Sequence, residues 1–408
     1  EQAKATNGEA LKDPATMKQL QTIVRTNERV AVALGSPYTV QLGTIYVDLL
    51  NVYKAFSELI NTTIAASGAT NAHLMHTSGV RAMRAVKKET LKLLDTFIEK
   101  SEDNELVLTK FVPPLLDPVL GDYVRSIPEA RDPEVLSLFT CLINKLQGSM
   151  TSEVPRVFSA VFKCTLDMIT KNFEDFPEHR GTLFNLLRAI NHHCFPALLT
   201  DQGNFTLIIE SIKWAFKHTE RNVAETGLNI LLELLNNVQA SQISNDFYQA
   251  YYLGLLQDVF SVLTDTLHKP GFKLHSQILA TLFQAVEADI ITAPLWPQDG
   301  SVAAGMTNRQ YLRELLLSMF SSSFPNLTQA QLTVLISAMF EHCRDQAAFK
   351  QQLRDFLVAL KEFGDSSELY AEEQQAETAS KALAMRSRQE AVPGLLNPHE
   401  RNEDMTDM

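Results

Sequence analysis

Apolar residues recur in this chain every three or four positions almost without interruption, and that period dictates helices. Ala224, Gly227, Leu228, Leu231, Leu235 and Val238 fall at i, i+3, i+4, i+7, i+11 and i+14, one continuous face at 3.6 residues per turn. Phe349, Leu353, Phe356, Leu357, Leu360 and Phe363 repeat the arrangement, and Gly364 follows where a left-handed stop is needed. No stretch alternates strictly with a two-residue period, so strands are not required. Of 408 residues 45% are hydrophobic, enough for a packed interior, which excludes wholesale disorder. Gly, at 16, is too sparse for a chain of hairpins or glycine-rich phosphate loops.

Start signals punctuate the pattern. Asp13, Asp117 and Asp132 each precede a Pro and offer a capping carboxylate before a first-turn proline. Thr328 and Gln331 have capping-box spacing. These signals predict helices over 14–33, 38–66, 79–100, 104–125 (broken at Pro113 and Pro114), 133–147, 154–171, 178–193 and 203–218. Further helices follow over 221–239, 246–267, 272–288, 308–322, 328–342, 346–363 and 367–388. Short links make neighbours antiparallel, and pairs recur roughly every 40–60 residues, near the period of HEAT arrays. The expected fold is all-α, a HEAT-repeat α-solenoid whose core runs the length of a superhelix of antiparallel helix pairs. The alternative of two compact bundles needs a linker that the sequence does not contain. Links 68–77 and 290–307 read as polar, Pro/Gly-punctuated surface loops.

Charge and cysteines narrow the function. With 36 Lys and Arg against 48 Asp and Glu, the net charge is −12, which argues against nucleic acid as the main partner. Four scattered cysteines form no C-x-x-C pair and suggest reduced thiols in the cytosol or nucleus. No apolar run has membrane-spanning length, and Glu1 to Asp13 lack a signal-peptide core. A first residue other than Met reads as a cut inside a longer protein.

No phosphate-binding loop, H-E-x-x-H or G-x-S-x-G appears, and no nucleophile–base set assembles, so no enzyme, cofactor or metal is expected. His192, His193 and Cys194 are adjacent and point apart on a helix, as do His342 and Cys343. Cys141 and Cys164 read as core thiols, and Trp214 as a core anchor with its indole edge near a polar partner. Glu372 and Glu373 lie on a charged helix, a solvated pair rather than an acid–base site.

Two features stand out as interaction surfaces. Arg81, Arg84, Lys88 and Lys92 form a stripe with Lys87 beside it, opposite the packing face of Met83, Val86, Leu93, Leu94 and Phe97. Such a stripe is either a solvated helix face or a seat for an acidic partner or an acidic segment of the same chain. The second feature is the C-terminal end. Residues 367–388 combine early acids (Glu368, Glu372, Glu373) with late cations (Lys381, Arg386, Arg388), which suits the helix dipole. The apolar stripe there is thin, chiefly Leu369, Ala376 and Leu383, so a helix spanning roughly 33 Å would dock weakly. The tail carries Glu400, Glu403, Asp404 and Asp407 and reads as acidic and disordered.

Several stretches resemble one family. Trp214 to Thr219 (WAFKHT) running into Arg221 to Leu228 (RNVAETGL) is similar to the chromosome-region-maintenance exportins, nuclear-export-signal receptors of the importin-β superfamily. So are Gln41 to Leu50 (QLGTIYVDLL), Phe111 to Asp117 (FVPPLLD), Leu353 to Val358 (LRDFLV) and Val392 to Glu400 (VPGLLNPHE). The resemblance covers the chain from about Leu11 onward and matches only the family's C-terminal part. It implies a shuttling receptor that carries leucine-rich export-signal cargo from nucleus to cytoplasm with GTP-bound Ran and meets nucleoporins at the pore. It implies three parts: HEAT repeats over 1–365, a regulatory helix over 366–390 and an acidic tail over 391–408. The last two match the arm that lowers cargo affinity when Ran is absent. The export-signal groove and its reactive cysteine would precede this chain. A constitutive HEAT scaffold without GTPase control is the alternative.

Overall fold

The protein is described by a computed structural model over residues 9–66, 72–171, 174–264, 271–296, 305–325 and 327–361. Among the described residues, fourteen long helices alternate with short links. They are α1 (Pro14–Leu34), α2 (Thr39–Ala66), α3 (Ser78–Lys100), α4 (Val112–Arg125), α5 (Glu134–Leu146), α6 (Val154–Ile169) and α7 (Pro177–His193). Then come α8 (Gln202–Phe216), α9 (Arg221–Gln239), α10 (Ser244–Thr264), α11 (Phe272–Glu287), α12 (Asn308–Ser323), α13 (Gln329–His342) and α14 (Gln346–Lys361). No strand occurs among the described residues. The expected helix over 367–388 lies outside them.

Caps set several of these starts. Asp13 accepts from the Thr16 amide at 2.9 Å, and Thr328 and Gln331 close a reciprocal capping box. Thr307 and Gln310 form a second box that the sequence reading passed over. The other two Asp-Pro pairs behave differently. Pro118 lies inside α4, so Asp117 caps nothing, and the Asp132 carboxylate is taken by cations of α3. Nor does the chain break at Pro113 and Pro114. It widens into a π turn over Val107–Phe111, where the Val112 amide bonds the Val107 carbonyl five residues back. Pro113 has no N–H to offer, and the wider turn makes room for its ring.

The helices form two rows. Helices α1, α3, α5, α7, α9 and α11 stand side by side, each against the next, while α2, α4 and α6 make the start of the second row. At the far end α12–α14 close over α11, with Phe283 edge-on to Phe340 at 4.9 Å and tilted on Phe349 at 5.9 Å. One hydrophobic core runs unbroken from Val24 to Leu357, and a satellite around Phe56, Ile60, Met83 and Val86 fills the pole between α1, α2 and α3. That continuity is what a solenoid requires, because each pair buries its faces only against neighbours.

The repeat is written in the hydrogen bonds between pairs. Tyr123 to Thr165, Cys194 to Gln147, Asn237 to Asn191 and Lys217 to Asp258 are 42, 47, 46 and 41 residues apart. Gly227 explains the close approach of α8 and α9: a Cβ there would lie 2.7 Å from the Phe216 amide nitrogen. The two longer links are less superficial than their composition suggested. Met75 is buried, and so are Ile291 and Leu295, while Asn308 holds the Ile291 and Ala293 carbonyls at 3.0 and 2.9 Å.

Candidate functional site

The basic stripe of α3 meets the chain's own carboxylates along most of its length. Arg84 donates to Asp132 Oδ1 at 2.7 and 3.1 Å, and Lys88 Nζ lies 2.8 Å from Glu134. Lys92 is 3.9 Å from Glu28 of α1, and Arg25 of α1 reaches Glu89 from the other side. Arg81 and Lys92 remain exposed.

Lys87 departs furthest from expectation. The sequence puts it beside the stripe and off the packing face, yet its side chain is 1% exposed. Its ammonium sits 2.7 Å from Asp122 Oδ2, 3.4 Å from Asp132 Oδ2 and 5.1 Å from the Tyr53 ring centre. The Tyr53 hydroxyl donates to Asp122 Oδ2 at 2.9 Å, and Ser126 Oγ donates to Asp122 Oδ1 at 3.3 Å. The reason is geometric. Lys87 follows Val86 at the edge of the apolar face, so its stem enters the seam and its head meets carboxylates arriving from α4 and the α4–α5 link. A buried ammonium costs several kcal/mol unless paired, and here two carboxylates and a ring face surround it. Burial, and then Asp122, push the Tyr53 hydroxyl far above its ordinary titration range. The cluster ties α2, α3 and α4 to the start of α5. It acts as a lock between successive helix pairs. The sequence could not reveal it, because Asp122 and Asp132 lie 35 and 45 residues beyond Lys87.

The histidines and cysteines stay apart as chemistry. His192 Nδ1 pairs with Glu233, its ring is edge-on to His193 at 4.4 Å, and the buried Cys194 thiol donates to the Gln147 carbonyl at 3.4 Å. Cys343 is buried and donates to the Phe340 carbonyl at 3.2 Å. Among the described residues no group of three or more His, Cys, Asp or Glu is placed to hold a metal ion. Nor is any described helix long and apolar enough to cross a membrane. Trp214 is half-buried and stacks on Phe184 at 6.0 Å. Cys141 and Cys164, expected in the core, are only half-buried, because both sit where a helix face turns toward solvent. Cys141 lines a groove between α3, α5 and α7, and burial, followed by the charge of Asp95, holds its thiol well above the ordinary range. His179 is buried with Nε2 3.0 Å from the Arg131 carbonyl, and burial pushes its pKa down to about 4.

Exposed apolar residues mark a surface that sequence reasoning missed. Ile23, Val30, Val32 and Leu34 of α1 and Val40 and Val47 of α2 are all more than a third exposed, Val40 reaching 81%. The signal was present as apolar residues on both faces of α1 and α2. The expected arm residues Leu369, Glu372, Glu373, Leu383, Arg386, Arg388, Glu400, Glu403, Asp404 and Asp407 lie outside the described residues.

Comparison with known proteins places nearly the whole chain beside one family. Residues 41–365 match the family described as CRM1 C terminal. The chain is 46% identical to the protein EXPORTIN 1A of Arabidopsis thaliana over 402 residues, 98% of its own length. It is 45% identical over 97% of its length to Exportin-1 of Schizosaccharomyces pombe and 43% identical over 98% to Exportin-1 of Drosophila melanogaster. It spans 37%, 36% and 37% of the length of those relatives, respectively.

Proposed function

The chain belongs to the exportin family defined by the CRM1 C-terminal region, and on that premise we propose that it is the C-terminal part of a nuclear export receptor. The receptor carries leucine-rich export-signal cargo out of the nucleus with GTP-bound Ran, passes nucleoporins at the pore and shuttles between nucleus and cytoplasm. It works by binding and change of shape, without catalysis of its own. The observation that carries the reading is similarity above 40% along nearly the whole chain to proteins named for export. The solenoid fits it, since a stack of helix pairs can alter curvature with little loss of core. The exposed apolar face of α1 and α2 is where a preceding helix pair of the longer receptor packs. Residues 366–390 and 391–408 form the regulatory arm, which favours a closed, low-affinity arrangement until Ran binds.

Export-signal peptide affinity of the full-length receptor, with and without Ran-GTP, tests the proposal. Deleting Ser367–Met408 raises the Ran-free affinity. Replacing Glu400, Glu403, Asp404 and Asp407 with amides acts in the same direction, more weakly and less at high salt. The isolated 408-residue chain leaves a labelled leucine-rich peptide unbound. Ran-independent cargo binding by the intact receptor would mean a constitutive scaffold instead.

A further inference from the structure

One groove carries a charge opposite to that of the molecule as a whole. It opens between α2, α4 and α6 with a volume of about 570 Å³, and Lys54, Arg125, Arg156 and Ser159 line it. Three cations there face one carboxylate, Asp117, in a chain whose net charge is −12. Asp117 is 89% exposed and already pairs with Arg156, itself nearly half exposed. The Lys54 and Arg125 side chains meet no carboxylate among the described residues. Asp122, one turn before Arg125, is held by Lys87 and Tyr53, and Glu58, one turn beyond Lys54, stays outside the lining. Gly121 leaves room for the Arg125 guanidinium, since a Cβ there would stand 3.1 Å from a terminal nitrogen. Val124, 50% exposed, and Ala160 form an apolar wall beside the cations.

We propose that this groove binds the phosphate of a phosphorylated serine or threonine carried by a partner protein. Charge complementarity selects the occupant: two cations without a counter-ion balance the charge of about −2 on a phosphomonoester above pH 7. A phosphate also presents three terminal oxygens, and donors reach the groove from three helices. They are the Lys54 ammonium from α2, the Arg125 fork from α4, and Arg156 with the Ser159 hydroxyl from α6. A carboxylate offers two oxygens and one charge, and would leave a cation unmatched. Ser159 Oγ donates to the Arg156 carbonyl at 3.0 Å, a local bond that a rotating hydroxyl can exchange. Arg156 is available on similar terms, because water screens its exposed pair with Asp117. None of the lining residues is aromatic, so a nucleotide base has nothing to stack on. The wall of Val124 and Ala160 suits the Cβ and backbone of a peptide instead.

Fluorescence anisotropy tests it, with the chain titrated into fluorescein-Gly-Ala-Ala-phosphoserine-Ala-Ala-amide at about pH 7.5 and unlabelled peptides added as competitors. The unlabelled phosphoserine peptide should compete at least about tenfold better than its Glu counterpart, and the serine peptide should not compete. Lys54→Gln and Arg125→Gln should each weaken binding about tenfold, as the loss of a charge-assisted hydrogen bond requires. Asp117→Asn should tighten it about threefold, because Arg156 is released and a repelling carboxylate removed. Lys110→Gln removes an exposed cation just before α4 and outside the groove, and should change nothing. All four replaced side chains are exposed, so the variants keep the fold. Equal competition by the Glu peptide would overturn the phosphate, and a loss of affinity with Asp117→Asn would overturn the part given to Arg156. Equal losses from Lys110→Gln and Arg125→Gln would replace the groove by a diffuse field. Inorganic phosphate or a uridylate decamer competing as well as the phosphopeptide would overturn a partner protein as the source.

Discussion

The seam that joins the first two helix pairs and the seams of the middle array solve the same packing problem with different materials. Between α1/α2 and α3/α4, contacts bridge long separations, 64 residues from Arg25 to Glu89 and 69 from Tyr53 to Asp122, and a buried ammonium sits at their centre. From α5 to α11 the separations settle near 40–47 residues, and the seams are largely apolar, with polar bonds such as Asn237 to Asn191 and a buried guanidinium, Arg180, paired with Glu220 at 2.9 Å. Exposure follows the same division. Among the described residues, six large apolar side chains of α1 and α2 face solvent, and none between α5 and α11 does. The regular middle seams rest mainly on shape and hydrophobic area, their buried cation Arg180 being met by one partly exposed carboxylate rather than by two sealed ones. The long helices at the start lie further apart in sequence, and directional charge fixes their register.

The sharpest break of that comparison is Lys87→Met. It leaves Asp122 and Asp132 buried without their ammonium, and the expected loss is about 3–5 kcal/mol in equilibrium denaturation. Lys87→Met combined with Asp122→Asn should recover part of the loss, because the stranded charge is then removed as well. If Lys87→Met alone unfolds at the midpoint of the native chain, the first seam is held by apolar packing like the others.

His179 stands where the two regions meet, bonded to the carbonyl of Arg131 just ahead of Asp132. Its folded pKa, about 4, lies below the ordinary 6.5, so the unfolded chain binds the proton more readily. The contribution is present above pH 6.5, is lost as pH falls from 6.5 toward 4, and amounts to about 3 kcal/mol at most. Denaturation midpoints measured across that window should show the slope, and His179→Gln should flatten it. An unchanged slope would place the acid sensitivity elsewhere, with His193 and His218, also lowered by burial, the next groups to replace.

Helices, their order and the solenoid were legible because they depend on local period and caps, and 3.6-residue patterning survives without knowledge of neighbours. The Pro113 and Pro114 region was misread because a π turn leaves no trace in composition. The stripe on α3 was visible as charge, but its meaning was not. Whether a lysine faces water or a carboxylate depends on residues one repeat away, and sequence spacing does not carry that information. Gly227 shows the limit from the other side. It read as one position on an apolar face, while the structure makes it the point where α9 touches the end of α8. Gly227→Ala should cost roughly 1–3 kcal/mol through overpacking, despite alanine's better helix propensity. A stabilised variant would show that this middle seam is looser than its regular geometry implies.

The smallest expected effect sharpens the comparison most, because it uses the residue next to Lys87. Lys88 pairs with Glu134 at 2.8 Å, close to the 2.7 Å of Lys87 to Asp122, yet both side chains are about a third exposed. Water and salt screen the pair, and holding two long side chains in one geometry costs entropy, so Lys88→Gln should change stability by about 1 kcal/mol or less. That change should shrink further as ionic strength rises, since the exposed pair lies within reach of counterions. Lys87→Met should hardly respond to salt, because its partners are sealed from solvent. Measuring both variants at low and high salt therefore separates burial from distance as the cause. If the two lysines lose similar stability and respond alike, the seam is an open ion-pair network and the first region differs from the middle only in length. If only the Lys88 variant is salt-sensitive, one turn of helix holds a surface charge and a structural one side by side, and the difference lies in the carboxylates that the neighbouring pair brings to them.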